Sequence, residues 1–270
     1  MNVDIIRIIC FVLFLLLFIS CELLFPRRKL IQDRFIRWTG NISLIIISSL
    51  IIRLTLPIVP LGACIWAQNN EIGLFNTISL DYVVTFILGV LILDAIIYWQ
   101  HRFFHKINFF WRFHRVHHSD CELDVSSGLR FHPIEILLST VIKLCAGVLI
   151  GVSPMSMLIF EIILNMSSMF THANLNLPKK IDKILKTVLV TPDMHRIHHS
   201  SLDREMKNNF GFNISIWDKL FKTYQDQPKS GHLKMEIGLR QFRDPKNNHM
   251  HNLITQPFIN DNLHQENTKS

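Results

Sequence analysis

Four long apolar stretches restrict this sequence more than any other feature. They cover residues 5–25, 42–66, 78–99 and 133–170, and none holds more than three charged side chains. A helix needs about 20 residues to cross the hydrocarbon core of a bilayer, so the first three stretches can each span it. The fourth is too long for one straight helix and is broken by Gly-Val-Ser-Pro at 151–154, which predicts a helical hairpin or a broken helix. We therefore expect an all-α integral-membrane protein with about four membrane segments.

The composition argues against an ordinary soluble enzyme. Hydrophobic residues make up 49% of the chain and charged residues only 18%, whereas soluble domains carry about 25% charged residues. The formal net charge is +7. In so apolar a chain this charge indicates contact with anionic membrane lipids and not with nucleic acid. The five cysteines form no CxxC pair, which argues against a disulfide framework, a zinc finger or an iron–sulfur cluster.

Charged residues between the apolar stretches predict the orientation in the membrane. The loop after the first stretch carries five basic residues and one acidic residue, whereas the loop at 68–73 has no Lys or Arg. Basic short loops stay in the cytoplasm, so the third stretch should end on the cytoplasmic side. The first stretch lacks a basic start and a clear cleavage site, and we interpret it as an uncleaved membrane anchor.

Three histidine clusters follow the apolar stretches. On a helix, positions i, i+3 and i+4 share one face, so each cluster points two or three imidazoles the same way. Eight imidazoles exceed the needs of one ion, and a site for two metal ions is the simplest interpretation. The clusters are HRFFH with His101 and His105, HRVHH with His114, His117 and His118, and HRIHH with His195, His198 and His199.

The helix that leads to the first cluster carries a polar stripe. Asp94, Tyr98, His101 and His105 lie four, three and four residues apart and therefore share one helix face. Histidines that bind metals usually donate their second N–H to a carboxylate or a carbonyl. We predict that Asp94 orients His101 or a neighbouring histidine; the alternative is an aspartate at the membrane interface with a different partner.

The remaining histidines are less clustered. His172 follows the fourth apolar stretch at the expected membrane boundary and is a plausible ninth ligand. His132 precedes that stretch, and its position fits either support of a ligand or a plain boundary residue. The others lie in the polar segment after residue 225, where surface positions are expected; they are His232, His249, His251 and His264.

These motifs resemble the fatty acid hydroxylase and sterol desaturase superfamily of membrane di-iron oxygenases. The resemblance covers residues 85–225 and rests on the order HxxxH, HxxHH, HxxHH, on Arg-Phe-His-Pro-Ile-Glu at 130–135 and on the run at 216–224. The chain has Asn-Phe-Gly at 209–211, where the family often has Asn-Tyr-Gly, and Phe-Lys-Thr-Tyr at 221–224 in place of Phe-Gly-Thr-Tyr. Neither departure touches a histidine.

The resemblance implies a cytosolic site with two iron ions that uses O₂ to hydroxylate or desaturate a lipid. A fatty acyl, sterol-like or ether lipid would enter through the bilayer. The sequence has no GxGxxG and no cysteine set for an iron–sulfur cluster, so electrons must come from a separate reductase or carrier. The expected organisation is an N-terminal anchor at 1–80, a catalytic domain resembling this family at 81–225 and a polar extension at 226–270.

Two other functions compete with a lipid oxygenase. A membrane zinc hydrolase would often offer HExxH, but no histidine here is followed by glutamate. A non-enzymatic metal carrier would place its ligands along a transmembrane path, whereas these clusters lie beyond the apolar stretches. For the third cluster, Thr191 is the expected N-cap of its helix, with Pro192 in the first turn.

Overall fold

The computed structural model describes residues 3–260, and within that range the regular secondary structure is helical. Short 3-10 turns, among them Val125–Leu129, join some of the helices. The α-helices are α1 Val3–Leu24, α2 Arg34–Thr55, α3 Pro60–Asn69, α4 Leu74–Thr77, α5 Tyr82–Lys106, α6 Asn108–His118, α7 Pro133–Ile150, α8 Pro154–His172, α9 Lys179–Leu185, α10 Pro192–His198, α11 Asp203–Met206, α12 Ile216–Leu220, α13 Gly231–Lys234 and α14 Met250–Thr255. The predicted all-α fold is confirmed.

Five helical stretches are long and apolar enough to cross a membrane. Four are the single helices α1, α5, α7 and α8, and the other begins with α2 and covers Arg34–Thr77. The count exceeds the expected four because the broad fourth apolar stretch forms two helices, as the hairpin interpretation predicts. Gly151 ends α7 in the left-handed conformation, with φ of 73°, and Ser153 caps α8 by accepting from the Ser156 N–H. The chain is a multi-pass membrane protein.

The short polar helices gather at one end of this bundle. Arg27, in the loop after α1, donates to Asp193 at the start of α10. Arg37, in the first turn of α2, is fully buried and donates to Asp120 and Asp124 beyond α6. The basic loop and the histidine-bearing helices therefore lie at the same end, as the charge pattern predicts. The opposite end brings Gly73, before α4, against Gly151.

The segment after residue 225 is more firmly packed than its composition indicates. Arg115 of α6 donates to the carbonyls of Gln256 and Ile259, and Leu253 is fully buried. His232 is also buried, 3.7 Å from Asp193, so its predicted surface position is wrong. His249 and His251 are exposed as expected, and His264 lies outside the described residues. The division at residues 80 and 225 stays a prediction.

Close contact between the Val125–Leu129 turn and α8 requires glycine at position 128. A Cβ atom there would lie 2.5 Å from the Ser168 carbonyl oxygen. We expect Gly128→Ala to destabilise the protein by about 1–3 kcal/mol through overpacking. Thermal unfolding in detergent measures this, with Gly62→Ala as control because the Cβ there would meet only the side chain of Ile58. Equal melting temperatures for the two variants would contradict the close approach.

Candidate metal centre

Four helices deliver nine histidines to the polar end of the bundle. Two come from the last turns of α5, three from α6, one from the end of α8 and three from α10 and the residue after it. Thr191 caps α10 through the Met194 N–H, and Pro192 occupies its first turn, which confirms the predicted start of this helix. All nine side chains come together, His172 included. One group holds His101, His105, His114, His118 and His198, and the other holds His117, His172, His195 and His199.

Ligand atoms converge within each group. In the group of four, the Nε2 atom of His172 lies 3.0 Å from that of His117, 3.2 Å from that of His199 and 3.1 Å from that of His195. In the group of five, the Nε2 atoms of His101 and His198 are 2.9 Å apart. The two groups touch, because the rings of His118 and His199 stack at 4.3 Å. Two adjacent sites of four or five nitrogens result.

The second ring nitrogens fix which atom carries the proton. Nδ1 of His172 lies 2.7 Å from the Ser168 carbonyl oxygen, and Nδ1 of His117 lies 3.2 Å from that of Arg130. A carbonyl can only accept, so both Nδ1 atoms carry hydrogen and both Nε2 atoms of the neutral rings present lone pairs. Two lone pairs facing each other at 3.0 Å form no hydrogen bond. The same holds for His101 and His198, whose Nδ1 atoms donate to the carbonyls of Phe210 and Asn208.

Burial prevents these rings from relieving the contact by taking up protons. Desolvation, followed by the neighbouring imidazoles, lowers the pKa of His117 and of His199 well below its usual value. Burial also lowers the pKa of His198, to about 3. At neutral pH the rings of His117, His198 and His199 are therefore uncharged. An uncharged imidazole nitrogen is the form that binds a metal ion.

Other ring nitrogens of the cluster are buried without a hydrogen-bond partner among residues 3–260. They are Nε2 of His105, Nε2 of His114, both nitrogens of His118, Nδ1 of His195 and Nδ1 of His199. A buried polar atom left unpaired costs about 1–3 kcal/mol. A cation between the facing nitrogens would remove much of this cost. The donor set fits one pair of ions, and imidazole suits iron, zinc, copper and nickel.

One loop, residues 208–213, positions two of the ligands. It supplies the carbonyls of Asn208 and Phe210 that hold His198 and His101. Asp218 fixes the loop by accepting from the backbone N–H groups of Phe210 and Gly211, at 2.8 and 2.7 Å. The sequence motif at 216–224 contains this aspartate, but spacing alone gave it no role. The role of Asp218 is apparent only in the folded chain, where the 208–213 loop lies against His101 of α5.

Glu135 is the carboxylate that contacts a predicted ligand. Glu135 lies in the first turn of α7, and its Oε1 atom is 2.6 Å from Nδ1 of His114. A carboxylate in this place fixes the ring and strengthens its other nitrogen as a ligand. The sequence signal was present in Arg-Phe-His-Pro-Ile-Glu at 130–135. The contact could not be predicted because the two residues are 21 positions apart in the sequence.

Asp94 contacts none of the clustered histidines, so the prediction that it orients His101 directly is wrong. Its carboxylate accepts from the Asn213 side chain at 2.6 Å and from the Trp217 indole at 2.7 Å. The Tyr98 hydroxyl lies 2.9 Å from that of Thr223. Both residues therefore tie α5 to the segment that carries the 208–213 loop. Their hydrogen bonds go to that segment and not to the histidines of the helix stripe.

His132 is a boundary residue. Its Nδ1 accepts from the Ile134 N–H and caps α7, and its Nε2 contacts the Ile254 carbonyl. It belongs to neither histidine group. The aromatic residues at the end of α5 and the start of α6 differ in exposure. Phe103 and Phe109 are exposed, which is typical of an aromatic belt at a membrane interface, whereas Phe104 is buried.

A cavity of about 250 Å³ leads from the histidines into the bundle. It lies among α2, α5, α7 and α8, with His101 and His114 at one end and Lys143 at the other. Its middle is lined by apolar side chains of all four helices, such as Ile45, Ile97, Ile136 and Leu164. The centre is thus connected to an internal space of the membrane bundle.

The sequence is similar to several lipid-modifying oxidoreductases. It is 32% identical to the ornithine lipid hydroxylase OlsE of Rhizobium tropici over 53% of this chain and 42% of that protein. It is 31% identical to the alkylglycerol monooxygenase of Danio rerio over 62% of this chain and 36% of that protein. With the C-4 methylsterol oxidase of Schizosaccharomyces pombe it shares 30% identity over 48% of this chain and 43% of that protein.

The chain thus spans less than half the length of these relatives. No solved structure matches it. The model of the fatty acid hydroxylase family matches residues 86–223, slightly more than half of the chain, and this range contains all nine clustered histidines. The chain belongs to the fatty acid hydroxylase family.

Proposed function

We propose that this protein is a membrane-bound, O₂-dependent oxidoreductase that hydroxylates a lipid at a centre of two iron ions. The facing Nε2 lone pairs of His101 and His198, and of His117 and His172, are the observation that carries the proposal. All nine clustered histidines would hold the metals. Two irons held there would supply the activation of O₂ needed to oxidise an unactivated C–H bond. Hydroxylation consumes one O₂, two electrons and two protons and yields an alcohol and water.

The chain itself contributes orientation and a dry space. The carbonyls of Asn208, Phe210 and Ser168 keep the Nδ1 hydrogens in place, so that the opposite nitrogens stay available. Glu135 does the same for His114. The apolar cavity excludes bulk water and brings a lipid alkyl chain beside His101 and His114.

Lipid substrates are supported by the relatives, whose names specify an ornithine lipid, alkylglycerol and a methylsterol. A hydroxylase and a monooxygenase among them favour hydroxylation over desaturation. The cavity is lined mainly by residues of the membrane helices α2, α5, α7 and α8, which suits a substrate that arrives from the bilayer. Electrons would come from a separate reductase or carrier.

We further propose that the centre faces the cytoplasm. The loop after α1, with Arg27, Arg28 and Lys29, lies at the same end as α10, and basic short loops stay on the cytoplasmic side. The basic residues there would suit an acidic electron carrier. A zinc hydrolase is less well supported, because the family match concerns hydroxylases. A metal carrier is also less well supported, because the nine rings form one cluster and no transmembrane path.

Iron binding is the first test of the proposal. Anaerobic loading with Fe(II) should give about two irons per chain, measured by elemental analysis of the purified protein. His117→Ala and His198→Ala, one from each histidine group, should still insert into membranes but lose iron and lipid product. His249→Ala, at an exposed histidine, is the control. Less than one iron per wild-type chain would contradict the centre.

Product analysis tests the reaction itself. Membranes that contain the loaded protein, a reducing system and ¹⁸O₂ should yield a hydroxylated lipid that carries one ¹⁸O atom, detected by mass spectrometry. Product that carries no label would rule out oxygen insertion.

Glu135 and Asp94 should differ in their effect on metal affinity. Glu135→Gln weakens the partner of His114, and loss of such a supporting group typically lowers metal affinity about 10–100-fold. Asp94→Asn leaves every histidine partner in place and should change the affinity by less than about threefold. A competition titration with a chelator and Fe(II) measures both. The reverse order of the two effects would reject the role assigned to Glu135.

Sidedness can be tested with reporter fusions in a bacterial inner membrane. A green fluorescent reporter after the last residue should fluoresce, because α14 lies at the end that carries the basic loop. Alkaline phosphatase fused after Glu71, at the opposite end, should be active. The opposite pattern of the two reporters would place the centre outside the cytoplasm.

A further inference from the structure

Three charged side chains meet deep inside the membrane bundle, away from the histidines. Lys143 of α7 donates to Glu161 of α8 at 3.0 Å, and Arg7 of α1 pairs with the other oxygen of the same carboxylate. Arg7 also lies 4.0 Å from Asp4, which is three-quarters exposed and faces away from the bundle. Charges at this depth are costly, so they usually mark a site that binds something.

The charged group lies at the far end of the cavity. Eight residues of helix separate Glu135, beside the histidines, from Lys143, which is a distance of about 12 Å along α7. Lys143 lines the cavity that contacts His101 and His114. A second cavity, between α1 and α8, is lined by Arg7 and Glu161 from the other side, and Asn165 lines both cavities. The group therefore stands where the inner cavity meets a path toward the lipid.

The Lys143 ammonium has more N–H donors than hydrogen-bond partners within residues 3–260. An ammonium group has three N–H donors and cannot accept, and within residues 3–260 its hydrogen-bond partner is Glu161 alone. The free acceptors lie at the opposite end, where Oε1 of Gln100 and Oε2 of Glu135 are buried without partners. The wall between the two ends is largely apolar. The cavity therefore has a donor end, an apolar middle and an acceptor end beside the histidines.

We propose that Lys143 binds a negatively charged or hydrogen-bond-accepting group of the lipid substrate at the end of the cavity opposite the histidines, about 12 Å along α7 from Glu135. The substrate is then a long-chain amphiphile whose polar group lies deep in the bundle and whose alkyl segment crosses the apolar middle to the metal centre. This assignment rests on the proposed function, because it takes the histidine end as the place of oxidation. Glu161 holds the ammonium in position, and the positive charge of Arg7 offsets the negative charge of the Glu161 carboxylate.

Photolabelling tests where the polar group lies. Dodecanoate with a diazirine beside its carboxylate should label peptides around Lys143 and Asn165 of the purified full chain, identified by mass spectrometry. The same acid with the diazirine at its methyl end should label near Ile97. The experiment uses iron-free protein under nitrogen. Reversed positions of the two labels would overturn the proposal.

Substitutions in the charged group should raise or lower the photolabelling in a way that depends on the role of Lys143. Lys143→Met should lower carboxylate-end labelling about tenfold, as expected for the loss of a charged hydrogen bond. Lys143→Arg, which keeps the charge, should retain most of it. Glu161→Gln frees the ammonium and should raise the labelling, whereas a purely structural role would lower it. Lys106→Met, at the exposed end of α5, is the matched control.

A charge-reversed competitor completes the design. Unlabelled dodecanoate should displace the probe at a concentration about tenfold lower than dodecyltrimethylammonium. Equal displacement by the two, or unchanged labelling of both Lys143→Met and Glu161→Gln, would overturn the site. If the labelling follows the prediction but the protein fails to bind iron on loading, the proposed function is contradicted and the proposed binding site is supported. Lipid oxidation that is indifferent to Lys143→Met, with unchanged labelling, would sink the site alone.

Discussion

The structure depends on one constraint, which is that uncharged imidazole nitrogens face each other in a dry interior. Backbone carbonyls take the Nδ1 hydrogens of His101, His117, His172 and His198, so the Nε2 lone pairs point at one another at 2.9–3.0 Å within each pair. A protein without a cation at this point would bear the cost of many unpaired polar atoms. The rest of the bundle end is arranged to hold that geometry.

The supporting interactions lie outside the histidine motifs. Arg37 ties the start of α2 to Asp120 and Asp124 with both ends of its guanidinium group. Arg130 is also fully buried; its side chain donates to the Val116 carbonyl while its own carbonyl receives the hydrogen of His117. These buried ions fix α6 against the membrane helices. The role of Arg37 is positional, because a paired buried charge adds little net stability but is expensive to displace. Arg130 acts through hydrogen bonds to neutral partners.

The features that depend on residues close together in the sequence were predicted correctly. Helical periodicity placed each histidine cluster on one face, the Gly-Val-Ser-Pro break gave the α7–α8 hairpin, and Thr191 with Pro192 gave the start of α10. Contacts between segments that are far apart in the sequence could not be predicted from it. Asp94 follows the right spacing toward His101, yet Asn213 and Trp217, more than a hundred residues away, capture its carboxylate. His232 looked like a surface residue because its burial comes from packing of the C-terminal segment and not from its neighbours in sequence.

The same constraint couples metal binding to the fold. The clustered histidines come from helices that are otherwise separate, and the 208–213 loop and α8 hold them through backbone carbonyls. A ligand set that exists only in the folded state converts metal-binding free energy into folding free energy. Ions bound by these histidines would therefore stabilise the polar end of the bundle. The cavity below it is different, because the membrane helices around it pack through apolar side chains such as Leu93, Ile97 and Phe160, none of which is a histidine. The proposed chemistry and the proposed substrate binding would thus rest on separate parts of the bundle, joined at His101 and His114.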